Sequence, residues 1–151
     1  MMDMDLLFMK EALKEARLAY EKGEVPVGAV IVHHGEIISR AHNTRETEFS
    51  AIAHAEVTAI REACKTLHGW RLEDCTLYVT LEPCPMCAGS IVSARIPRVV
   101  FGAWDASMGA MGSVMQITKY PLPCKPTVTA GVLERECGAL LSDFFMARRS
   151  K

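Results

Sequence analysis

The chain has 151 residues, of which 50% are hydrophobic and 23% are charged, a size and composition typical of one globular domain. No apolar run reaches the roughly 18 residues of a membrane span, and the acidic N-terminus lacks the basic segment of a secretory signal. We therefore expect a single domain over residues 1–151, located in the cytoplasm and without membrane contact. In that setting the six cysteines indicate thiols or metal ligands and not disulfides.

The net charge of −1 conceals an uneven distribution. The first 90 residues contain 9 Lys/Arg and 14 Asp/Glu, whereas the last 61 contain 8 Lys/Arg and 4 Asp/Glu. The C-terminal part could therefore receive a polyanion, although a scatter of solvated surface charge explains the same counts.

Helical and strand patterns alternate along the chain. The first half predicts a helix through residues 9–20, a hairpin of strands Gly28–His33 and Glu36–His42, a polar loop over 43–53 and a helix over 54–67. The second half predicts a strand over 76–81, a buried helix over 84–94, a strand over 99–103, a glycine-rich loop over 104–113, a strand over 127–131 and a helix over 133–149. Strands interleaved with helices indicate an α/β layered domain with a mixed sheet, in which a hairpin is followed by crossover strands.

A pair of cysteines at the start of a predicted helix is the first chemical motif, Pro83-Cys84-Pro85-Met86-Cys87. A spacing of three places both sulfurs on one face of the first helical turn. The partial positive charge of a helix N-terminus favours thiolate over thiol, so both thiols should titrate at low pH. Such a pair can bind zinc or carry out redox exchange, as in thioredoxin-like proteins.

A histidine at the start of the preceding predicted helix is the second motif, His54-Ala55-Glu56. One imidazole and two thiolates make three protein ligands, the number found in catalytic zinc sites that keep a position for water, whereas structural sites take four. The sequence contains no second Cys-x-x-Cys or His-x-x-His pair that would close the site. The ligand count therefore favours an open, catalytic zinc site.

Glu56 supplies an acid/base group beside that site. A carboxylate next to a zinc-bound water can accept its proton and pass it on. Residues two apart do not share a face in an ideal helix, so this role requires His54 and Glu56 to lie together in the first turn. Taken singly, His54 could be a core histidine and Glu56 an ordinary first-turn carboxylate. A redox module would leave both residues without a role.

These motifs and their flanking stretches resemble the zinc deaminases and, within them, the bacterial tRNA-specific adenosine deaminases. The motifs match the deaminase pattern H-x-E…P-C-x-x-C. The similar stretches cover nearly the whole chain: Glu24-Val25-Pro26-Val27-Gly28-Ala29-Val30, Asn43, Leu77-Tyr78-Val79-Thr80-Leu81-Glu82-Pro83-Cys84, Met86-Cys87-Ala88-Gly89, Arg98-Val99-Val100-Phe101-Gly102-Ala103, Asp105 with Gly109-Ala110 and Gly112-Ser113, and Leu140-Leu141-Ser142-Asp143-Phe144-Phe145.

The resemblance implies a three-layer α/β/α cytidine deaminase-like fold with a central mixed five-stranded sheet. It implies one zinc ion per chain, held by His54, Cys84 and Cys87 with water as the fourth ligand, and Glu56 as the catalytic proton carrier. The reaction would be the hydrolytic deamination of the wobble adenosine to inosine in a tRNA anticodon stem-loop. The enzyme would act as a homodimer whose subunits both shape the RNA site.

The resemblance also implies substrate contacts. Asn43 would recognise the base and Asp105 the ribose, although a turn role for Asn43 and a loop-organising role for Asp105 stay open. Of Phe144 and Phe145, we expect one ring to pack in the core and one to meet RNA. Three residues of the last helix would face the RNA: Phe145, Arg148 and Arg149.

Besides the redox module, which bound zinc at about one ion per chain would exclude, two alternatives remain. A zinc deaminase of a free base or nucleoside, such as guanine or cytosine, would use the same chemistry in a closed pocket with no basic rim. A non-catalytic RNA-binding protein with structural zinc would require a fourth protein ligand.

Overall fold

A five-stranded mixed sheet forms the centre of the computed structural model, which describes residues 3–149. The strands are β1 (Gly28–His33), β2 (Glu36–His42), β3 (Cys75–Leu81), β4 (Arg98–Ala103) and β5 (Thr127–Ala130). The helices are α1 (Asp3–Glu21), α2 (Ala55–Leu67), α3 (Pro85–Ser93) and α4 (Glu134–Arg149), and a short 3-10 helix covers Ile117–Lys119. The strands lie side by side in the order β2-β1-β3-β4-β5.

The sheet changes from antiparallel to parallel pairing at its central strand. β1 is antiparallel to both β2 and β3, whereas β3, β4 and β5 are parallel to one another. The carboxyl ends of β3 and β4 therefore meet at one edge, where the Glu82 amide donates to the Ala103 carbonyl at 2.8 Å. In open α/β sheets this edge is the usual place for a ligand site.

Alternate residues of each strand contribute to two separate cores. Ile31 of β1 packs in the core that includes α2 and α3, whereas its neighbours Val30 and Val32 pack in the core that includes α1 and α4. The three-layer α/β/α fold with a mixed five-stranded sheet is therefore confirmed. Within residues 3–149, no helix combines the length and apolar character that a membrane crossing requires.

The boundaries of all four α-helices differ from the sequence predictions, and that of α4 differs only in its start at Glu134, one residue later than predicted. His54 and Cys84, which the predictions include in helices, are extended residues that immediately precede α2 and α3. The first helix begins at Asp3, well before the predicted residue 9, because contacts of its first turns with distant strands stabilise a segment whose own periodicity is weak.

Gly28 allows α1 to approach β1 closely. A Cβ atom at this position would collide with the carbonyl oxygen of Ala12 and the amide nitrogen of Ala16. Both helix residues are small and fully buried. The glycine therefore permits a backbone-to-backbone contact that any side chain would prevent.

Asp5 ties the first turns of α1 to the sheet. Its carboxylate accepts two hydrogen bonds from the Arg98 guanidinium at 2.8 and 2.6 Å and a third from the Tyr78 hydroxyl at 2.7 Å. Arg98 also donates to Thr129 Oγ1 at 3.3 Å, which extends the network to β5. The Arg98 guanidinium, helped by Tyr78, holds the pKa of Asp5 below its usual value despite partial burial.

We expect Asp5→Asn to lower the free energy of unfolding by about 1–2 kcal/mol at pH 7, because it removes a two-point charge-assisted contact. The folded pKa of Asp5 is depressed, so this stabilisation is complete above the unfolded pKa of about 4 and is lost as the pH falls through the folded value. Urea unfolding should therefore show a difference between the two proteins at pH 7 that shrinks near pH 3.

The matched control is Glu62→Gln, which removes an exposed ion pair with Lys65 within α2. We expect it to change stability by less than about 0.5 kcal/mol at either pH. A difference for Asp5→Asn that stayed constant between pH 7 and pH 3 would contradict the ionic origin of its effect.

Candidate active site

Three potential metal ligands converge at the carboxyl edge of β3. The sulfur atoms of Cys84 and Cys87 lie 3.6 and 3.5 Å from Nδ1 of His54. All three ligand atoms lie within 4.8 Å of one another, and both cysteines are buried. This spacing lets one cation reach every donor at the usual ligand distances of about 2.0–2.3 Å.

The backbone at the two helix starts leaves these side chains available to a metal. His54 and Cys84 occupy the extended N-cap positions of α2 and α3, and the His54 side chain makes no capping hydrogen bond to α2. Their carbonyl groups instead accept helical hydrogen bonds from the amides of Thr58 and Ala88 at 3.2 and 2.8 Å. Pro85 suits the start of α3, because a proline lacks the N–H that would be unpaired there.

The two thiols differ in acidity. Hydrogen bonds from Cys87 and His54 lower the pKa of Cys84 to about 4, although burial opposes the change. The same hydrogen bond to Cys84, together with burial, raises the pKa of Cys87. The expectation that both thiols titrate at low pH is therefore wrong for Cys87, whose buried thiol donates a hydrogen bond to the Cys84 sulfur. Two cysteine thiolates and one imidazole form a donor set that suits Zn²⁺, and binding the ion releases the proton from Cys87.

Glu56 lies beside the ligands and not on the opposite side of α2. His54 is extended and Glu56 is helical, so the spacing of an ideal helix does not place their side chains on different faces. Both side chains line one cavity. Glu56 is only 4% exposed. Burial raises its pKa to about 7, against the opposing effects of hydrogen bonding and of His54.

The cavity at this edge has a volume of about 760 Å³. Its walls come from the 43–53 loop, the 104–113 loop and α4, and its lining includes His54, Cys84 and Glu56. Three of the predicted substrate contacts also line it: Asn43, Asp105 and Phe145. The other two, Arg148 and Arg149, are exposed at the end of α4 and are not part of the lining.

A family model describes this arrangement. The model of the cytidine and deoxycytidylate deaminase zinc-binding region matches residues 2–103, a span that contains all three ligands and Glu56. The chain belongs to this deaminase family. Membership confirms the predicted zinc cofactor and the predicted class of enzyme, a zinc-dependent hydrolytic deaminase.

Individual relatives place the chain within the family. It is 58% identical to the tRNA-specific adenosine deaminase of Bacillus subtilis (strain 168), over 99% of this chain and 94% of the relative. A solved structure from work on A-to-I editing by tRNA:A34 deaminases is 44% identical, with a TM-score of 0.86 over 89% of this chain and 98% of that one. The guanine deaminase of Bacillus subtilis is 36% identical, with a TM-score of 0.64 over 95% of this chain and 92% of that one. The resemblance to tRNA-specific adenosine deaminases is thus confirmed.

Asn43 of this deaminase holds a turn and still has free hydrogen-bonding capacity. Its side-chain amide donates to the Val25 carbonyl at 3.2 Å, and its side-chain oxygen accepts from the Arg45 amide at 3.1 Å. An asparagine side chain offers two N–H donors and an oxygen with two lone pairs. One donor and one acceptor position therefore remain for a ligand, so the turn role and the base-recognition role are compatible.

Asp105 uses one carboxylate oxygen to shape its loop. Oδ1 accepts hydrogen bonds from the amides of Ser107 and Met108 at 3.0 and 3.1 Å and from the Ser107 hydroxyl at 2.9 Å. Within residues 3–149, no hydrogen bond engages Oδ2. Asp105 therefore organises the loop with one oxygen and presents a carboxylate to the cavity that it lines.

The two phenylalanines of α4 have different surroundings. Phe144 is buried, contacts the Tyr20 ring at 5.6 Å and carries the Arg148 guanidinium 4.9 Å above its face. Phe145 is 44% exposed and lines the cavity. One ring packs in the core and the other is open to the site, as expected, whereas contact with RNA stays a prediction.

Glu82 organises the 104–113 loop, and the sequence analysis did not single it out. The side chain is 1% exposed and accepts four hydrogen bonds at 2.5–3.0 Å, from the amides of Asp105, Met111 and Ser113 and from the Ser113 hydroxyl. Its only sequence signal is a glutamate at the end of a buried strand, directly before Pro83, where a charge requires partners. The sequence does not identify those partners.

Glu24 has the same function in the 43–53 loop. This buried carboxylate accepts hydrogen bonds from the amides of Glu46 and Thr47 at 3.1 and 2.6 Å and from the Thr47 hydroxyl at 2.7 Å. Burial opposes ionisation, but the hydrogen bonds from Thr47 and Glu46 outweigh it and hold the pKa of Glu24 below its usual value. Both loops that wall the deaminase cavity are thus anchored on a buried carboxylate.

Gly109 tests this anchoring, because a Cβ at this position would collide with the Glu82 carboxylate. We expect Gly109→Ala to displace the 104–113 loop, to lower the free energy of unfolding by about 1–3 kcal/mol, and to reduce deamination more than zinc content. Urea unfolding, elemental analysis and an activity assay measure these three effects.

The control is Gly138→Ala on α4, where a Cβ would lie 4.0 Å from the Ala103 side chain, at ordinary contact distance. It should leave activity intact and raise the free energy of unfolding by about 0.5–1 kcal/mol, because alanine favours a helix interior more than glycine does. If the two variants behaved alike, the contact between Gly109 and Glu82 would not position the loop.

Proposed function

We propose that this protein converts the adenosine at the wobble position of a tRNA anticodon to inosine by zinc-dependent hydrolysis. The observation that carries the proposal is an open three-ligand metal centre beside a buried glutamate, in a chain 58% identical to a tRNA-specific adenosine deaminase. Three protein ligands leave a position for water, as in other catalytic zinc sites.

Glu56 is the proton carrier of the proposed reaction. His54, Cys84 and Cys87 hold the zinc ion, which when bound supplies the Lewis acidity that makes water nucleophilic at neutral pH. As the water oxygen adds to carbon 6 of adenine, Glu56 accepts a proton from the water and passes it to the ring nitrogen N1. Glu56 then takes the second proton from the added oxygen and delivers it to the amino group, which leaves as ammonia. Its burial suits this role, because a carboxylate shielded from bulk water exchanges protons with the substrate.

Two cavity residues give the site its selectivity for a ribonucleoside. Asn43 offers the donor and the acceptor that a purine edge requires. Asp105 offers a carboxylate acceptor for a ribose 2′-hydroxyl, the group that distinguishes RNA from DNA.

An RNA loop is the substrate that best fits the rim of the cavity. Phe145 and Trp104 line it with 44% and 47% of their surfaces exposed, and such rings stack on unpaired bases. Arg148 and Arg149 at the end of α4 provide two exposed cations for phosphates outside the cavity.

A second copy of the chain is the partner that we propose for the surface of α2 and α3. A groove of about 630 Å³ between these helices is lined by apolar and small residues such as Ile60 and Gly89, and Trp70 beside it is 52% exposed. Met86 lines both this groove and the active-site cavity, so a subunit seated here would border the active site. That geometry suits a homodimer whose two chains shape one RNA site.

We place the enzyme in the cytoplasm, as one deaminase domain over residues 1–151. All six cysteines are free thiols, the state that a reducing compartment maintains. Anticodons are also read in that compartment, so the substrate is available there.

Deamination of a free base is the second candidate, favoured by the 36% identity to a guanine deaminase. Product analysis by mass spectrometry separates the two. The zinc-loaded protein is incubated with an anticodon stem-loop that carries adenosine at the wobble position, and with free adenine, guanine and cytidine in the same reaction. We expect inosine in the stem-loop alone. Conversion of a free base, with the stem-loop unchanged, would contradict the RNA assignment.

The matched control for this assay is Glu56→Gln. Because the carboxylate moves protons and is not a metal ligand, the variant should retain zinc and lose turnover by a factor of at least about 10². Near-normal deamination by Glu56→Gln would exclude the proposed proton path.

Asp105→Asn tests the ribose contact. Asparagine keeps an oxygen that can accept the loop hydrogen bonds of Ser107 and Met108, so the loop should persist while the carboxylate is lost. We expect the RNA-over-DNA preference, measured as the ratio of kcat/KM on matched RNA and DNA hairpins, to fall about tenfold without loss of zinc. An equal loss on both hairpins would assign Asp105 a purely structural role.

A further inference from the structure

A second cluster of metal-ligating side chains lies at the opposite end of the sheet from the active site. His33 ends β1, His34 begins the turn between β1 and β2, and Asp74 immediately precedes β3. One ligand atom from each residue lies within 4.8 Å of the other two. His34 Nε2 is 3.8 Å from Asp74 Oδ2.

The two histidines are together because of the turn conformation. Successive residues of a strand point to opposite faces of the sheet, so regular strand geometry would separate them. His34 instead has a φ of +50°, and the two imidazole rings stack with centroids 3.9 Å apart and planes inclined by 26°. The turn therefore brings both imidazoles to one side, next to Asp74.

The first position of the turn is occupied by a histidine in the left-handed backbone region. A two-residue hairpin turn with positive φ at both positions favours Asn-Gly or Gly-Gly, because few other residues adopt the left-handed region at low cost. The protein has His34 there, followed by Gly35 with a φ of +81°. The turn therefore carries a metal-ligating side chain at a position where Asn or Gly is more usual.

We propose that His33, His34 and Asp74 form a second metal site, which takes an imidazole-preferring transition-metal dication such as Zn²⁺. Two imidazoles and one carboxylate suit Zn²⁺, Ni²⁺ or Cu²⁺, whereas Mg²⁺ and Ca²⁺ prefer oxygen ligands throughout. The site does not depend on the proposed deaminase activity.

This site is weaker than the active-site centre and has a mechanical consequence. The side chains of His34 and Asp74 are both 71% exposed, so water completes the coordination and no thiolate contributes. A bound ion joins the β1–β2 turn to the start of β3, two segments that are far apart in sequence. An ion that binds the folded state and not the unfolded state therefore raises the free energy of unfolding as the free metal concentration exceeds the dissociation constant.

The test is equilibrium dialysis of the zinc-loaded enzyme against buffered free Zn²⁺, with the metal-to-protein ratio measured by elemental analysis. The wild type should rise from one zinc per chain to two. His34→Asn should weaken the second binding event by at least about tenfold, as loss of a ligand requires. Asparagine suits the left-handed turn, so this variant should fold at least as stably as the wild type in the absence of added metal.

The matched control is His68→Asn, which replaces another exposed histidine with a φ of +55° that belongs to neither metal cluster. It should retain the second zinc with unchanged affinity. Thermal unfolding gives an independent readout: excess Zn²⁺ should raise the Tm of the wild type and of His68→Asn but not of His34→Asn, and Mg²⁺ should raise none of them.

Two outcomes would overturn the proposal. The wild type could remain at one zinc per chain throughout the titration. Alternatively, His34→Asn could bind a second zinc as tightly as His68→Asn does, which would locate that ion elsewhere, for example at the partly exposed Cys64 or Cys124.

Discussion

The meeting of two helix N-termini at one point is the constraint on which the active site depends. His54 and Cys84 each occupy the last extended residue before a helix, so a shift of either helix start by one residue would move a ligand out of reach. The start of α3 is restricted by Pro83 and Pro85, which limit the backbone on both sides of Cys84. Both N-termini also direct partial positive charge to the same place, which favours a thiolate there. The backbone conformation that starts each helix is therefore also the one that brings the metal ligands together.

The start of α2 has no comparable proline and depends on its loop. The 43–53 segment is closed by a hydrogen bond from the Thr44 amide to the Ala53 carbonyl at 3.0 Å, next to His54. Glu24 holds the middle of this loop through Thr47, and Glu82 holds the opposite loop in the same way. An ionised carboxylate in a buried position is costly unless hydrogen bonds replace its water, and backbone amides supply most of those bonds here. Two irregular segments thereby become fixed walls without forming regular structure.

The sequence predicts the fold and the metal ligands well because both leave local signals. The bounds of β1 and β2 follow from two strand-like runs on either side of the His34-Gly35 turn, and the ligands follow from short motifs with a chemical purpose. Glu24 and Glu82 escape prediction because their partners are backbone amides 22 to 31 residues away, which no side-chain pattern reveals. The first turns of α1 escape for the same reason, since Asp5 is paired with Arg98 across 93 positions. The unequal pKa values of the two thiols also escape prediction, because a helix dipole acts on both sulfurs alike whereas the hydrogen bond between them and the burial of Cys87 do not.

The active site combines a closed interior with an apolar rim. In the interior, Glu56 is 4% exposed and Asn43 is 6% exposed, so the reacting centre is shielded from bulk water. At the rim, Trp104, Met108 and Phe145 expose between 44% and 52% of their surfaces around the same opening. A free base would fill the interior and leave these side chains in water, whereas a nucleotide within an RNA loop would cover them with its neighbours. Contiguous exposed apolar surface marks a binding site for a larger partner. The interior therefore selects the reacting base, and the rim favours a macromolecular substrate that carries it.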